Sequence, residues 1–432
     1  MRVEDFDGRL LGENFRRLRP PLKSMTLFGG MMVSGNDLYH LLRAKHSPRS
    51  LWYVTKILIR HALDRMRYSR GTRLTNGSAL SARLLHRYLL LGGDLLTSAS
   101  LKHLTQHEAR VVGCKVEVEG HLRELKAAKA VVLATGGLGH NHEMRRTLHT
   151  TGQMSVRDSV SLVPKTVKGE GIMAALEVGA HLNTKQHDIA AWVPVSRVPG
   201  SDLTKLYFPH FFDRSKPGFL MVNAAGIRFV NEAKSYHDIG REMKARGFNE
   251  AFIICDHLAL TRYGVGVVPP LSPLIKRWIR SGYLVRSADF SGLAKSSGIE
   301  PEGLLRTISA YNEYASEGKD PLFDKGNTAY ETFIGDSEAK KNPCVAPLSS
   351  PPFYAIRVVL GDIGTFCGVS TDRSGRVRDF SGGSITGLYA VGNDRASIFG
   401  GTYPAAGITL GPALVHAVQA GRHIGSTELS ND

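Results

Sequence analysis

Cysteine is scarce in this chain. The 432 residues hold four, Cys114, Cys255, Cys344 and Cys367, scattered with no CxxC pair. That argues against a structural zinc site and a secreted disulfide scaffold, and makes a reducing cytoplasm the expected compartment. Long apolar runs are also missing: nothing approaches the roughly 18 residues that a spanning helix needs, so no transmembrane segment is expected. The opening MRVEDFDGRLLGENFRRLRPP has early acids and no apolar core, so it does not read as a signal peptide. Acidic residues are in deficit, 39 against 55 Lys and Arg, for a formal charge of +16. The densest basic run, RHALDRMRYSRGTR from Arg60 to Arg73, alternates with apolar residues at helical spacing and is not interleaved with stacking aromatics. It reads as a solvated helix face, and no nucleic-acid partner is expected. Repeats and low-complexity tracts are absent.

What remains has globular proportions, 42% hydrophobic and 22% charged, in a chain long enough for two domains. Leu51–Tyr68 has apolar residues every three to four positions and predicts an amphipathic helix. TNGSALSARLLHRYLLLGG predicts a second, capped by Asn76 or Ser78 and stopped at Gly92-Gly93. Residues 109–118 alternate as a strand that turns at Glu119-Gly120. The short β-branched run Ala130–Leu133 enters a glycine turn, as buried strands of an open α/β sheet do. EGIMAALEVGA predicts a helix ended by Gly179. Residues 195–360 are richer in proline and aromatics, and the chain closes with a helix over Gly411–His423.

The chemistry is concentrated near the C-terminus. An apolar strand, LYAVG, ends at Asn393-Asp394; a glycine-rich loop follows, then a helix beginning GITLGPAL. Such a helix start presents unpaired N–H groups and a positive dipole end, which suits an anion, a reduced flavin among others.

The pieces ATGG (Ala134–Gly137), GEGI (Gly169–Ile172), GIRFVNE (Gly226–Glu232), DIGTFCGVSTD (Asp362–Asp372), LYAVGND (Leu388–Asp394) and GGTYPAAGITLGPAL (Gly400–Leu414) follow one another along essentially the whole chain. In that order they resemble the fumarate reductase/succinate dehydrogenase flavoprotein superfamily, and within it the 3-ketosteroid dehydrogenase branch. The resemblance implies FAD as cofactor. Its binding residues would be Ala134, Thr135, Gly136, Gly137, Gly169, Gly171, Gly392, Asn393, Asp394, Gly407, Ile408, Thr409 and Leu410. It also implies the reaction: a proton leaves the carbon beside a ketone, hydride passes from the neighbouring carbon to the flavin, and a carbon–carbon double bond forms. Tyr236 matches the base, while Tyr403 and Gly407 match the pair that polarises the carbonyl oxygen. The partners implied are a bulky, steroid-like ketone and an electron acceptor.

The expected fold is α/β (α+β): a Rossmann-like FAD-binding domain over 1–195 and 361–432, interrupted by a substrate or cap domain over 196–360. The family's N-terminal strand–GxGxxG–helix unit, which holds the FAD pyrophosphate, has no counterpart near Met1. The expectation is a chain that begins after that unit, a truncated form or fragment whose missing half would complete it. Such a fragment would hold FAD weakly or not at all, and an inactive truncated fragment is one alternative to the dehydrogenase reading. The departures lie near the substrate. Lys234-Ser235 replaces leucine–proline before Tyr236, and Tyr403-Pro404-Ala405-Ala406-Gly407 replaces YPGPG. A fumarate-reductase-like enzyme for a small dicarboxylate is the alternative, disfavoured because its arginine and histidine clamps are absent from Asp362–Thr365 and Ser397–Gly401. His237 and Asp238 are adjacent and poorly placed to converge; His140, His142 and Glu143 lack zinc spacing, so no metal is expected. Arg228 and Glu232, four apart, predict an ion pair.

Overall fold

The computed structural model describes residues 4–21, 26–45, 47–149, 159–200, 206–248 and 250–426. The chain divides into two compact units, Met1–Ala99 and Ser100–Asp432. In the first, the helix Pro48–Arg67 starts where Ser47 accepts from the Ser50 N–H, with proline in the first turn. Asn76–Leu90 forms the next helix, and its N-cap is Thr75 rather than Asn76 or Ser78; Thr75 is extended and makes no side-chain cap bond. Phe6, Leu11, Phe15, Leu74, Ala79 and Ala82 form the unit's core.

The second unit is built on sheets. Ala99–His107, Arg110–Val118 and His121–Lys126 form an antiparallel meander. The short strand Val131–Leu133 pairs in parallel with Ser384–Ala390, which in turn pairs with Arg376–Arg378. A parallel pair needs a crossover connection, and here it joins segments about 250 residues apart in the chain. A seven-stranded sheet is organised on the 13-residue strand Phe353–Thr365, flanked by Ala190–Val198 and Glu250–Cys255. Both flanking strands run antiparallel to it, with Val193 opposite Gly361 and Ile253 opposite Ile356. Ala190–Val198 is buried at every position but Arg197, the near-continuous apolar run of a strand covered on both faces. The α/β class expected from the sequence is present. No described helix is long and apolar enough to cross a membrane.

Candidate active site

Strand Val131–Leu133 delivers the turn Ala134–Gly137, and strand Ser384–Ala390 delivers the 3-10 turn Gly392–Asp394. Because the strands are parallel neighbours, both turns emerge at the same sheet end, where open α/β sheets bind ligands. Asp394 ties them together. Its carboxylate accepts from the Thr135 N–H, from Thr135 Oγ1 at 2.9 Å and from the Gly137 N–H at 2.9 Å. Burial pushes the Asp394 pKa up, against the hydrogen bonds that oppose it. Gly137 has φ +90, and a Cβ there would stand 2.5 Å from Thr365 Oγ1 and 2.9 Å from the Asn393 carbonyl. Gly169 (φ +87) starts the helix Glu170–Glu177, and a Cβ on Gly171 would meet Thr135 Oγ1 at 2.5 Å. The ATGG, GEG and GND segments are therefore one packed cluster.

The final loop approaches the same end. Ile408 and Thr409 face Gly392 and Asn393 across a small recess, and the helix Leu410–Ser426 begins directly after them. Gly392 and Gly407 both have positive φ and open space where a side chain would stand. Arg395, in the same wall, has its Nη1 buried without a hydrogen-bond partner among the described residues. Open glycine backbone and an unsatisfied cation fit a flat, anion-forming group such as a flavin.

Tyr236 and Tyr403, 167 residues apart, meet: Tyr236 donates to the Tyr403 hydroxyl at 2.6 Å. Both rings are buried, 5% and 8% exposed, in the wall of a cavity of about 460 Å³ that also takes in Lys234, Ser235, Ala405 and Ala406. Tyr236 opens the helix Tyr236–Ala245, whose apolar positions Ile239 and Met243 are buried, and Phe211 packs edge-on against its ring at 4.8 Å. Burial, then the bond to Tyr403, drives the Tyr236 pKa far above the usual phenol value. Gly407 lies between this cavity's last lining residue, Ala406, and Ile408 of the recess. Phe366 lines the recess with its ring 6.4 Å from Tyr403, so cavity and recess are neighbours.

His237 turns away from Asp238. Its Nδ1 accepts from the Trp192 N–H at 3.1 Å, which leaves the ring proton on Nε2, 3.6 Å from Asp188. Burial works against the Asp188 charge, yet His237, Trp192 and Lys244 together hold its carboxyl well below the usual range. The sequence reading missed this hub, which no local spacing signals. The Arg228–Glu232 pair forms at 2.8 Å, and Asp320 and Lys325 join it. Ser196, His210 and Asp213 line up through bonds of 2.8 and 2.7 Å. Ser196 and His210 are fully buried and Ser196 also bonds Tyr283 at 2.8 Å, so no substrate reaches this serine. His140 Nε2 lies 3.0 Å from the Val163 carbonyl, and no three metal-ligating side chains gather among the described residues.

An FAD binding domain family matches residues 4–410, and the chain belongs to it. A 4-oxocyclohex-2-ene-1-carboxylate 5-dehydrogenase of Sinomonas cyclohexanicum is 33% identical over 98% of this chain and 72% of its own length. A 3-oxosteroid 1-dehydrogenase of Mycolicibacterium smegmatis is 30% identical over 98% and 74%. Among solved structures, the 3-ketosteroid delta1-dehydrogenase of Sterolibacterium denitrificans, in complex with 1,4-androstadiene-3,17-dione, superposes with a TM-score of 0.87. It is 34% identical over 98% of this chain and 77% of that one. The protein is thus an FAD-dependent oxidoreductase of the dehydrogenase branch recognised in its motifs.

Proposed function

We propose that the chain dehydrogenates the carbon–carbon bond beside the carbonyl of a bulky cyclic ketone, steroid-like in its rings. The observation that carries this reading is the 2.6 Å bond between Tyr236 and Tyr403 on the wall of one cavity. Tyr236 acts as the phenolate: its own hydroxyl proton leaves to solvent first, and the phenolate oxygen then takes the proton from the carbon next to the carbonyl. The Tyr403 hydroxyl and the Gly407 N–H hold the oxygen, where charge grows as the enolate forms. The ATGG, GEG and GND segments and Ile408–Leu410 would hold FAD, which would supply the hydride acceptor. We keep 196–360, which contributes Tyr236, as the substrate-side domain, and 1–195 with 361–432 as the flavin-side domain. The four cysteines are free, three of them buried, which supports a reducing cytoplasmic setting.

The small-dicarboxylate alternative would need paired cationic clamps, and Asp362 is already bound to Arg145 at 2.8 Å. The test is anaerobic: FAD-loaded chain is mixed with a 3-ketosteroid or with 4-oxocyclohexanecarboxylate, and flavin bleaching is followed; turnover uses an artificial electron acceptor. One ketone bleaches the wild type, and Tyr236→Phe slows that step by about 10²–10⁴-fold. Bound FAD that neither ketone reduces would sink the reading.

A further inference from the structure

The recess beside the tyrosine cavity holds a cation with an unspent donor. Arg395 lines it with Gly392, Asn393, Ile408 and Thr409. Its Nη1 is shut off from solvent and finds no acceptor among the described residues. Burial pushes the guanidinium pKa down, and the carboxylate that opposes this, Asp372, is already bound by Arg376 at 2.6 Å. His416 lines the same recess. Burial first, then the charge of Arg395, hold its imidazole below the ordinary value. Leaving a buried N–H without an acceptor costs about 1–3 kcal/mol, and more when the group is charged. What would satisfy the Arg395 Nη1 here is an anion.

We propose that Arg395 binds the negative charge that FAD acquires on reduction, and thereby raises the potential of the bound flavin. This rests on reading the recess as part of the flavin pocket. Hydride transfer breaks one substrate C–H bond and delivers two electrons and one proton to the oxidised flavin. The other substrate proton goes to the Tyr236 phenolate, whose own proton has left beforehand, so the negative charge ends on the reduced flavin. A guanidinium already in place, with an N–H to give, favours that state over the neutral oxidised one. A phosphate of FAD is the other anion that could reach a guanidinium, but its charge is the same in both redox states. Comparing affinity with potential separates the two.

The experiment is an equilibrium redox titration of the FAD-loaded chain against a dye of known potential, together with the affinity for oxidised FAD. Arg395→Met should weaken reduced FAD about tenfold relative to oxidised FAD, a fall of about 30 mV for this two-electron couple. Arg395→Lys, which keeps the charge, should fall less. Should the methionine variant fail to fold, Arg395→Gln removes the charge while keeping a polar side chain, and the same fall is expected. An unchanged potential overturns the proposal. So does equal weakening of both redox states, which would assign Arg395 to a phosphate. A wild type that takes up no FAD overturns the reading of the recess and this inference with it. No ketone enters the titration, so its outcome is independent of whether the dehydrogenation reading holds.

Discussion

Glu232 shows how a single carboxylate can hold distant segments together. It bonds Arg228 at 2.8 Å and Lys325 at 3.2 Å, and it accepts from the Met221 N–H at 3.0 Å. Arg228 reaches on to Asp320, 92 residues away. Burial alone would raise the Glu232 pKa, yet Arg228 and Lys325 bring it from 4.5 down to about 2. A depressed carboxyl contributes stability above its unfolded value and loses it as pH falls through the folded one. Resistance to urea should therefore drop between pH 4.5 and about 2 in the wild type, more steeply than in Glu232→Gln; parallel slopes would contradict the assignment. At neutral pH the same variant should lose about 3–5 kcal/mol, since it leaves buried cations short of a partner. The i, i+4 spacing made half of this network legible in the sequence. Asp320 and Lys325 are brought in by the chain's long-range path, which spacing does not record.

At the scale of elements, strand plus glycine turn is the unit that builds the proposed flavin side. The run Ala130–Leu133 and the turn after it were readable because a short β-branched run ending in glycines has few other uses. The turn's closure was not, since it depends on Asp394 from a strand paired in parallel much later in the chain. Gly137→Ala tests that closure. Its φ of +90 and the 2.5 Å approach to Thr365 Oγ1 make even one methyl costly. The variant should lose roughly 1–3 kcal/mol and take up FAD more weakly, read by thermal melting and flavin titration. The helix Tyr236–Ala245 carried a signal that the sequence reading did not use: Ser235 as N-cap, then Ile239 and Met243 buried on one face. The opposite error came at Asn76–Leu90, where Thr75, extended but bonding through no side chain, takes the cap position. Cap preference is a weak prior beside the path of the incoming strand.

Across the whole molecule, the +16 charge is partly spent inside. Arg70 donates to the Phe15 and Leu18 carbonyls. Arg73 pairs with Asp37 at 3.0 Å, and Arg145 with Asp362 at 2.8 Å. Arg228 sits between two carboxylates. These side chains cannot also contact a phosphate backbone. Retention on duplex DNA should accordingly be weak, without sequence preference, and gone between ~50 and ~200 mM salt; specific binding that survives that range would call for a nucleic-acid function. Arg395, whose Nη1 has no hydrogen-bond partner among the described residues, lies instead among glycines and next to the tyrosine cavity.

The sequence by itself determined the family and the α/β class, because glycine turns, β-branched runs and motif order are local properties of the chain. Only the tertiary structure decided that Tyr236 bonds Tyr403, that His237 serves Asp188 instead of Asp238, and that the Arg395 Nη1 has no hydrogen-bond partner among the described residues. Each of these depends on which distant segments the sheets bring side by side, and hydrogen bonding and desolvation act only once those groups are within a few ångströms of one another.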